Sequence, residues 1–209
     1  MIRRLLIPCV LGILLTSNAP SQQNLYVQPM NSVESFSKAP VLRGAVSATG
    51  QVALASTDRI VKVYEGGTLT ERLSITGVTN RVAALSFTES GQTIVTATSD
   101  GVLSLWNAKT GALERSFTGF SNVISLGALS ENLVFILGLE RTVKVHDAVS
   151  GKSIGSASSK DELTAFALHP NGKIFAVGSV TGEVRIYAIA QMAVTNVLPD
   201  AKEKITTLA

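Results

Sequence analysis

Histidine and cysteine side chains most often carry nucleophilic or metal chemistry, and this chain of 209 residues has two histidines and one cysteine. His146 lies in a short apolar segment, His169 opens a His-Pro-Asn-Gly turn sequence, and Cys9 stands near the start. A Ser-His-Asp triad or a zinc site needs several such groups brought together. The sequence therefore predicts no catalytic residue, no metal site and no cofactor.

Carboxylates offer a second route to chemistry. Asp161 and Glu162 are adjacent, and a pair of carboxylates can perform the acid–base steps of glycoside hydrolysis. Solvation of a surface loop explains the same two residues without any further requirement. Gly66 and Gly67 indicate a turn, because no helix follows them to form a phosphate-binding loop. Whether the protein is an enzyme is left open by these patterns.

Composition and charge favour a folded domain that does not grip nucleic acid. The content of 45% hydrophobic and 16% charged residues is typical of a globular protein. The formal charge is +3, but Arg3 and Arg4 lie at the very start, and the rest of the chain carries only +1. Binding to phosphates requires clustered basic residues. No direct nucleic-acid binding is expected.

The start of the chain, up to Pro40, differs from the rest. Residues 1–20 combine a basic start, the apolar run Leu5–Leu15 and the small or polar residues Thr16–Ala19, an outline typical of a secretory signal peptide. The alternative is an apolar leader that results from a misplaced gene start. The run is well short of the ~20 residues that span a membrane as a helix. Residues 21–40 are polar and irregular, which predicts a linker.

Beyond Pro40 the chain consists of short apolar runs separated by Gly, Asp, Asn and Ser, which predicts an all-β fold. Four runs align as apolar, polar, apolar and aromatic, and their aromatic positions recur at nearly constant spacing. These positions are Tyr64, Trp106, His146 and Tyr187. A regular period of about 41 residues indicates a repeat protein.

Two further series have the same period. Asp58, Asp100 and Glu140 each lie six positions before an aromatic position, and a turn series runs through Gly50, Gly91, Asn132 and Gly172. The second unit shows four predicted strands, here named a to d, at Val82–Phe87, Thr93–Thr98, Leu103–Trp106 and Leu113–Phe117. Asp100-Gly101 supplies a tight turn between strands b and c. Each unit is therefore predicted to be one four-stranded blade of a propeller.

These residues resemble the WD-repeat β-propeller family from about Val41 to Ala209. The resemblance rests on the period, on the aspartate of the b–c turn and on Trp106-Asn107, which closes strand c. The Gly-His dipeptide of the family is absent, since Gly77 precedes Val78 and Gly119 precedes Phe120. In the family that His bonds with Asp, Ser or Thr, and Trp. The resemblance thus implies divergent blades in which Asp100, Thr96 or Thr98, and Trp106 lack a fourth partner.

A narrower resemblance lies in the last unit. The segments His169–Ser179 and Val184–Tyr187 are similar to a blade of the pre-mRNA-processing factor 19 family of spliceosomal U-box ubiquitin ligases. This resemblance implies a nuclear scaffold that recruits substrates and partners for pre-mRNA splicing and protein ubiquitination. The U-box and the coiled coil that precede the propeller in that family are missing here, so the resemblance leaves open whether this chain is an enzyme.

The repeats predict blades and an incomplete ring. The predicted boundaries are 41–77, 78–119, 120–159 and 160–199, with the start of a fifth blade at 204–209. Since a WD-repeat ring usually has about seven blades, four blades predict an open ring. The chain is then a truncated product, a partial gene model or half of an assembly that another chain completes.

In a propeller the b–c turns and the d–a connections gather on one face, where peptides and proteins usually dock. We expect on this face Asp58, Arg59, Asn80, Arg81, Asp100, Asn122, Lys160 and Asp161. Their mixed charges favour a polar protein partner. Three functions are compatible with the sequence: a nuclear or cytoplasmic scaffold for protein partners, an exported binding propeller if residues 1–19 are a signal peptide, and, less favoured, a propeller hydrolase.

Overall fold

The computed structural model describes residues 39–120, 122–139, 141–169, 171–198, 203–206 and 208. The predicted leader at 1–20, nearly all of the predicted linker and Glu140 lie outside the described residues.

Sixteen strands of the described residues form four antiparallel sheets of four strands, and sequence neighbours pair within each sheet. We number the sheets as blades 1 to 4. Blade 1 contains β1 (Val41–Val46), β2 (Val52–Ser56), β3 (Val61–Tyr64) and β4 (Glu71–Ile75). Blade 2 contains β5 (Val82–Phe87), β6 (Thr93–Thr98), β7 (Val102–Asn107) and β8 (Leu113–Thr118). Blade 3 contains β9 (Val123–Ser130), β10 (Leu133–Gly138), β11 (Thr142–Asp147) and β12 (Ser153–Ser158). Blade 4 contains β13 (Leu163–Leu168), β14 (Ile174–Ser179), β15 (Val184–Ala188) and β16 (Ala193–Leu198). The predicted all-β class is confirmed.

Burial explains why the strands differ in composition. Every residue of β2 and β6 is buried, and β6 lies between blades 1 and 3, which cover both of its faces. Continuous runs of Val, Ala, Ile and Thr suit such strands. The outer strands β4 and β8 carry Glu and Arg at exposed or half-buried positions, and such charges protect a free sheet edge from unwanted pairing.

The hydrophobic core lies between blades. Val61 and Val63 of blade 1 pack with Trp106 of blade 2. At the junction of blades 3 and 4, the Phe135 ring lies 5.7 Å from that of Phe175, centroid to centroid. Each large apolar side chain buried in this way contributes roughly 1.5–3 kcal/mol. The blades therefore depend on one another for stability.

The first strands β1, β5, β9 and β13 lie side by side in that order around a central cavity of about 500 Å³. Arg43, Leu85, Ile124 and Phe166 are among the residues that line it. Within the described residues the four sheets do not close into a ring, as the sequence predicted. Blade 4 therefore has one flank with no sheet against it.

Residues 203–206 lie along the inner part of this flank. The backbone N–H of Ile205 donates to the carbonyl of Ser179 at 3.1 Å, and a side chain added at Gly178 would collide with Ile205. These residues form no strand pair in the structure. The fifth blade predicted from 204 onward stays a prediction. No helix among the described residues has the length and apolar character needed to cross a membrane.

Candidate binding face

The b–c turn of blade 2 is built by two hydroxyl groups with separate roles. The indole Nε1–H of Trp106 donates to Thr96 Oγ1 at 2.9 Å in a buried setting. Thr98 Oγ1 donates to Asp100 Oδ1 at 2.5 Å. The sequence left open which threonine joins the tryptophan, and the structure assigns Thr96. A buried indole N–H without a partner would cost about 1–3 kcal/mol.

The hydroxyl that caps a b–c turn recurs in three of the four blades. Ser56 donates to Asp58, as Thr98 does to Asp100, and Ser179 Oγ lies 2.9 Å from Thr181 Oγ1. Thr181 is thus the position of blade 4 that corresponds to Asp58 and Asp100. Thr181 was not predicted from the sequence because the series of Asp58, Asp100 and Glu140 contains carboxylates only. Its place six residues before Tyr187 could have revealed Thr181.

His146 occupies the position of Trp106 in blade 3 and is 8% exposed. Its ring packs edge-on against Phe120, with centroids 4.8 Å apart. Nδ1 lies 3.3 Å from the carbonyl oxygen of Gly151, and a carbonyl only accepts, so the ring donates there. Burial lowers the pKa of His146 and outweighs the hydrogen bond to Gly151, which raises it. These contacts give His146 a packing role.

The other aromatic positions of the repeat are also buried. Tyr187 stacks on Phe175 with parallel rings 4.9 Å apart, and Tyr64 packs with Val52 and Leu54. Burial raises the pKa of Tyr64. His169 instead lies exposed in a turn, where its Nδ1 accepts the backbone N–H of Asn171 at 3.0 Å.

The b–c turns and d–a connections lie at one end of the blades, because strands a and c run opposite to strands b and d. We call this end the turn face. It comprises the b–c turns at 57–60, 99–101, 139, 141 and 180–183 and the d–a connections at 76–81, 119, 120, 122 and 159–162. All eight predicted face residues lie there, and all but the half-exposed Asp161 are exposed.

A repeated backbone hydrogen bond holds the turn face in place. In every blade, an N–H at or next to the b–c turn donates to the carbonyl of a residue shortly before strand a. These bonds join Thr57 to Pro40 at 3.0 Å, Ser99 to Arg81 at 2.9 Å, Leu139 to Asn122 at 3.1 Å and Val180 to Glu162 at 2.9 Å. The exposed side chains are therefore presented by backbone that is fixed on each blade.

One position of the b–c turn has a left-handed backbone in all four blades. Its φ values are 67° at Arg59, 85° at Gly101, 61° at Arg141 and 87° at Gly182. Glycine adopts this region freely, whereas arginine is strained there. Both arginines reach the following d–a connection: Arg59 Nη1 donates to Thr79 O at 3.4 Å and Arg141 Nη1 to Lys160 O at 2.9 Å. Sequence reasoning missed Arg141, although it lies two repeats after Arg59.

Arg185 is a third residue, after Thr181 and Arg141, that was not predicted from the sequence. Its guanidinium contacts Glu183, lies 3.6 Å from Asp161 Oδ2 and donates to Ser159 Oγ at 2.9 Å. The hydrogen bond to Glu183 raises the pKa of Arg185. Asp161 of the candidate acid–base pair is thus engaged in an ion pair. No cluster of three metal-ligating side chains occurs in the part of the chain that the structure describes.

The family comparison agrees with this geometry. Residues 70–107 and 151–188 match the family model described as WD domain, G-beta repeat. These two segments are similar to WD40 repeats. Each matched segment begins beside the outer strand of one blade, β4 or β12, and ends on the third strand of the next, β7 or β15. The WD40 sequence repeat is therefore displaced by one strand from the structural blade, so that each repeat joins two blades.

Curated relatives share this region. The chain is 25% identical over 154 residues to the periodic tryptophan protein 2 homolog of Dictyostelium discoideum, covering 70% of this chain and 17% of that protein. It is 27% identical over 149 residues to the U3 snoRNP-associated protein-like EMB2271 of Arabidopsis thaliana, covering 69% and 30%. It is 22% identical over 144 residues to autophagy-related protein 16 of Arabidopsis thaliana, covering 68% and 28%. The chain thus spans less than a third of the length of each of these relatives.

A solved structure supports the fold. The chain resembles the β-propeller domain of Cps50 (Swd1) from Myceliophteria thermophila with a TM-score of 0.66 at 16% identity. The match covers 82% of this chain and 61% of that domain chain. The β-propeller fold predicted from the repeats is confirmed.

Proposed function

We propose that this protein is a scaffold that binds proteins or peptides on its turn face. The observation that carries this proposal is the backbone hydrogen bond that repeats in all four blades and fixes each b–c turn to the segment before strand a. A preorganised surface loses little conformational entropy on binding. The WD40 repeats and the propeller neighbour support a role as a platform for protein interaction.

Charge on the turn face favours a protein partner. Asp58 and Asp100 alternate with Arg59, Arg81 and Lys160, so the face offers both signs. Such a pattern suits a partner surface of complementary mixed charge. A nucleic acid would require a predominantly basic stripe.

Charge reversal on the turn face tests the proposal. The variant Arg81→Glu with Lys160→Glu changes two exposed side chains on blades 2 and 4. The control variant Lys109→Glu with Lys173→Glu makes the same charge change in exposed turns of the same two blades at the opposite end. Tagged wild type and both variants are purified from cells, and the retained proteins are quantified by mass spectrometry. We expect the wild-type partners to be lost at least tenfold from the first variant and kept by the control.

Loss from both variants, or from neither, would contradict docking on the turn face. Far-UV circular dichroism and thermal unfolding of each variant separate loss of binding from loss of folding. Both pairs lie on exposed turns, so all three proteins are expected to unfold at similar temperatures.

We also propose the kind of complex to which the scaffold belongs. One relative is named as U3 snoRNP-associated and another as autophagy-related, whereas the resemblance in the last repeat implied a spliceosomal ubiquitin ligase complex. The named relatives favour a ribonucleoprotein or autophagy assembly. The purified material is therefore probed for U3 RNA, for autophagy proteins, and for spliceosomal RNAs with ubiquitin-conjugating enzymes. The complex served by the scaffold is the one whose RNA or proteins are enriched with wild type relative to the turn-face variant.

The proposed function also predicts where in the cell the protein is found. A scaffold in such assemblies resides in the nucleus or the cytoplasm, whereas an exported propeller requires cleavage within residues 1–20. Cell fractionation with N-terminal sequencing of the mature protein decides this. Recovery of the intact Met1 form from the nucleus or cytoplasm supports the first location, and a shortened form in the medium supports export.

A further inference from the structure

The outer strand of blade 4 is unusually exposed and apolar. All six residues of β16 are exposed, including Val194 at 46%, Val197 at 41% and Leu198 at 49%. Eight large hydrophobic side chains are exposed among the described residues, and three of them lie in this one strand. Among the described strands β16 pairs with β15 alone, so no described strand bonds to the backbone N–H and C=O groups of its other edge.

The outer strands of blades 1 and 2 are guarded differently. β4 carries Glu71 and Arg72, and β8 carries Glu114 and Arg115. Charged side chains on an edge strand oppose pairing with another chain. β12 has no charge either, but four of its six residues are Ser or Gly and only Ile154 is a large apolar side chain. β16, with the sequence AVTNVL, has no charged residue and two valines, which favour strands.

The apolar surface of β16 continues onto the open flank of blade 4. Val184 and Ile186 are only half-buried, whereas the corresponding Val61 and Val63 of blade 1 are 0% exposed beneath blade 2. Ile205 covers the flank near Gly178, and within the part of the chain that the structure describes no sheet covers the outer part of the flank. Edge and flank thus form one connected apolar surface, and such surfaces mark interaction sites.

We propose that β16 pairs with β16 of a second copy of this chain, in an antiparallel arrangement with twofold symmetry. Twofold symmetry brings a surface against itself, so the surface must tolerate its own charges. A strand without charge meets this condition, because no like charges oppose each other across the pair. The exposed valines and Leu198 then form apolar cross-strand contacts, and the two blades join into one continuous sheet.

Light scattering after size-exclusion chromatography tests this dimer with the full chain. The mass of wild type is expected to approach twice the monomer value of 21.9 kDa as its concentration rises. Val194→Lys with Val197→Lys places four like charges across the pair and is expected to shift the midpoint of dimerisation at least tenfold upward in concentration. Leu113→Lys is the control, since Leu113 is 52% exposed on the outer strand β8; it is expected to dimerise as wild type does.

Crosslinking distinguishes edge pairing from other contacts. In a Cys9→Ser background, Asn196→Cys is expected to form a covalent dimer under mild oxidation, and Ser116→Cys on β8 is not. A wild-type chain that stays monomeric at all concentrations overturns the proposal. A dimer that survives the valine substitutions, or one that is lost with Ile186→Lys on the flank but not with them, overturns it as well.

Discussion

At the scale of the residue, His146 shows how one substitution within a repeat changes chemistry without changing architecture. It replaces the indole of Trp106 with an imidazole, which keeps an aromatic packing surface and can also bind a proton. Because Phe120 and the neighbouring strands remove the ring from water, its charged form is disfavoured and its pKa is lowered. The positive charge of Lys144 acts in the same direction.

The stability of the fold should therefore fall in mild acid through His146. Above its ordinary pKa of 6.5 the ring is neutral in both states and adds no pH dependence. Below that pH the unfolded chain binds the proton more readily, so the free energy of unfolding decreases until the folded ring is protonated too. Denaturant titrations of wild type and His146→Phe at several pH values measure this.

The phenylalanine variant keeps the aromatic ring and loses the titration. Its stability is expected to decline less than that of wild type between pH 7 and 5. An equal decline in both proteins would show that His146 carries none of the effect.

At the scale of the element, the b–c turns of the four blades share one backbone geometry, but only two of them place glycine at the position with positive φ. Blades 2 and 4 place Gly101 and Gly182 at the left-handed position, whereas blades 1 and 3 place Arg59 and Arg141 there. The hydrogen bonds from these arginines to d–a carbonyls offset part of the backbone strain. The offset is smaller for Arg59, whose hydrogen bond is 3.4 Å long, than for Arg141, whose hydrogen bond is 2.9 Å long.

Arg59→Gly is accordingly expected to stabilise the fold, by about 0.5–1 kcal/mol, through relief of strain at positive φ. Arg141→Gly should stabilise it less, because a shorter hydrogen bond is lost. Arg59→Ala is the control that removes the guanidinium but keeps the strain, and it should bring no gain. Thermal unfolding of the three variants measures the order, and a stabilising alanine variant would contradict the explanation by strain.

At the scale of the whole molecule, contacts between blades hold the propeller together, and one of them is ionic. Glu131, in the a–b turn of blade 3, accepts hydrogen bonds from Thr88 at 2.7 Å and from Ser90 in the a–b turn of blade 2. Burial opposes ionisation of Glu131, but the hydrogen bonds from Ser90, Thr93 and Thr88 outweigh it, so its pKa is lowered.

The contribution of Glu131 should be present at neutral pH and lost in acid. A lowered folded-state pKa adds stability above the ordinary value of 4.5, and this stability disappears as the pH falls through the folded-state pKa. Glu131→Gln is expected to cost about 0.5–1 kcal/mol at pH 7, after allowance for solvent screening. The difference from wild type should shrink below pH 4.5, as followed by urea unfolding.

Glu89→Gln provides a matched control, since it removes an exposed carboxylate from the a–b turn of blade 2. It should leave the stability unchanged within about 0.5 kcal/mol. A cost for Glu131→Gln that persists undiminished at low pH would show that the effect is steric and not ionic.

The repeats made much of the fold predictable. The contacts that the sequence did not predict join residues that lie far apart along the chain. The phases of Tyr64, Trp106, His146 and Tyr187 indicated the third strand of every blade, because alternation and turn residues act over a few positions. Arg185 escaped notice because its partner Asp161 lies before the first strand of the same blade, and the sequence does not state how closely the two approach. The contact of Glu131 with Ser90 spans a full repeat.

The sequence by itself determined the strands, the turns and their period, since backbone hydrogen bonding and burial within a blade follow local order. It also determined the charges available to the turn face. Only the tertiary structure decided that Thr96 rather than Thr98 meets Trp106, that Arg141 and Arg185 bond to residues of the turn face, and that β16 and one flank of blade 4 are uncovered among the described residues. These features depend on strands and side chains that lie far apart along the chain and meet only when each sheet has formed and the blades have packed.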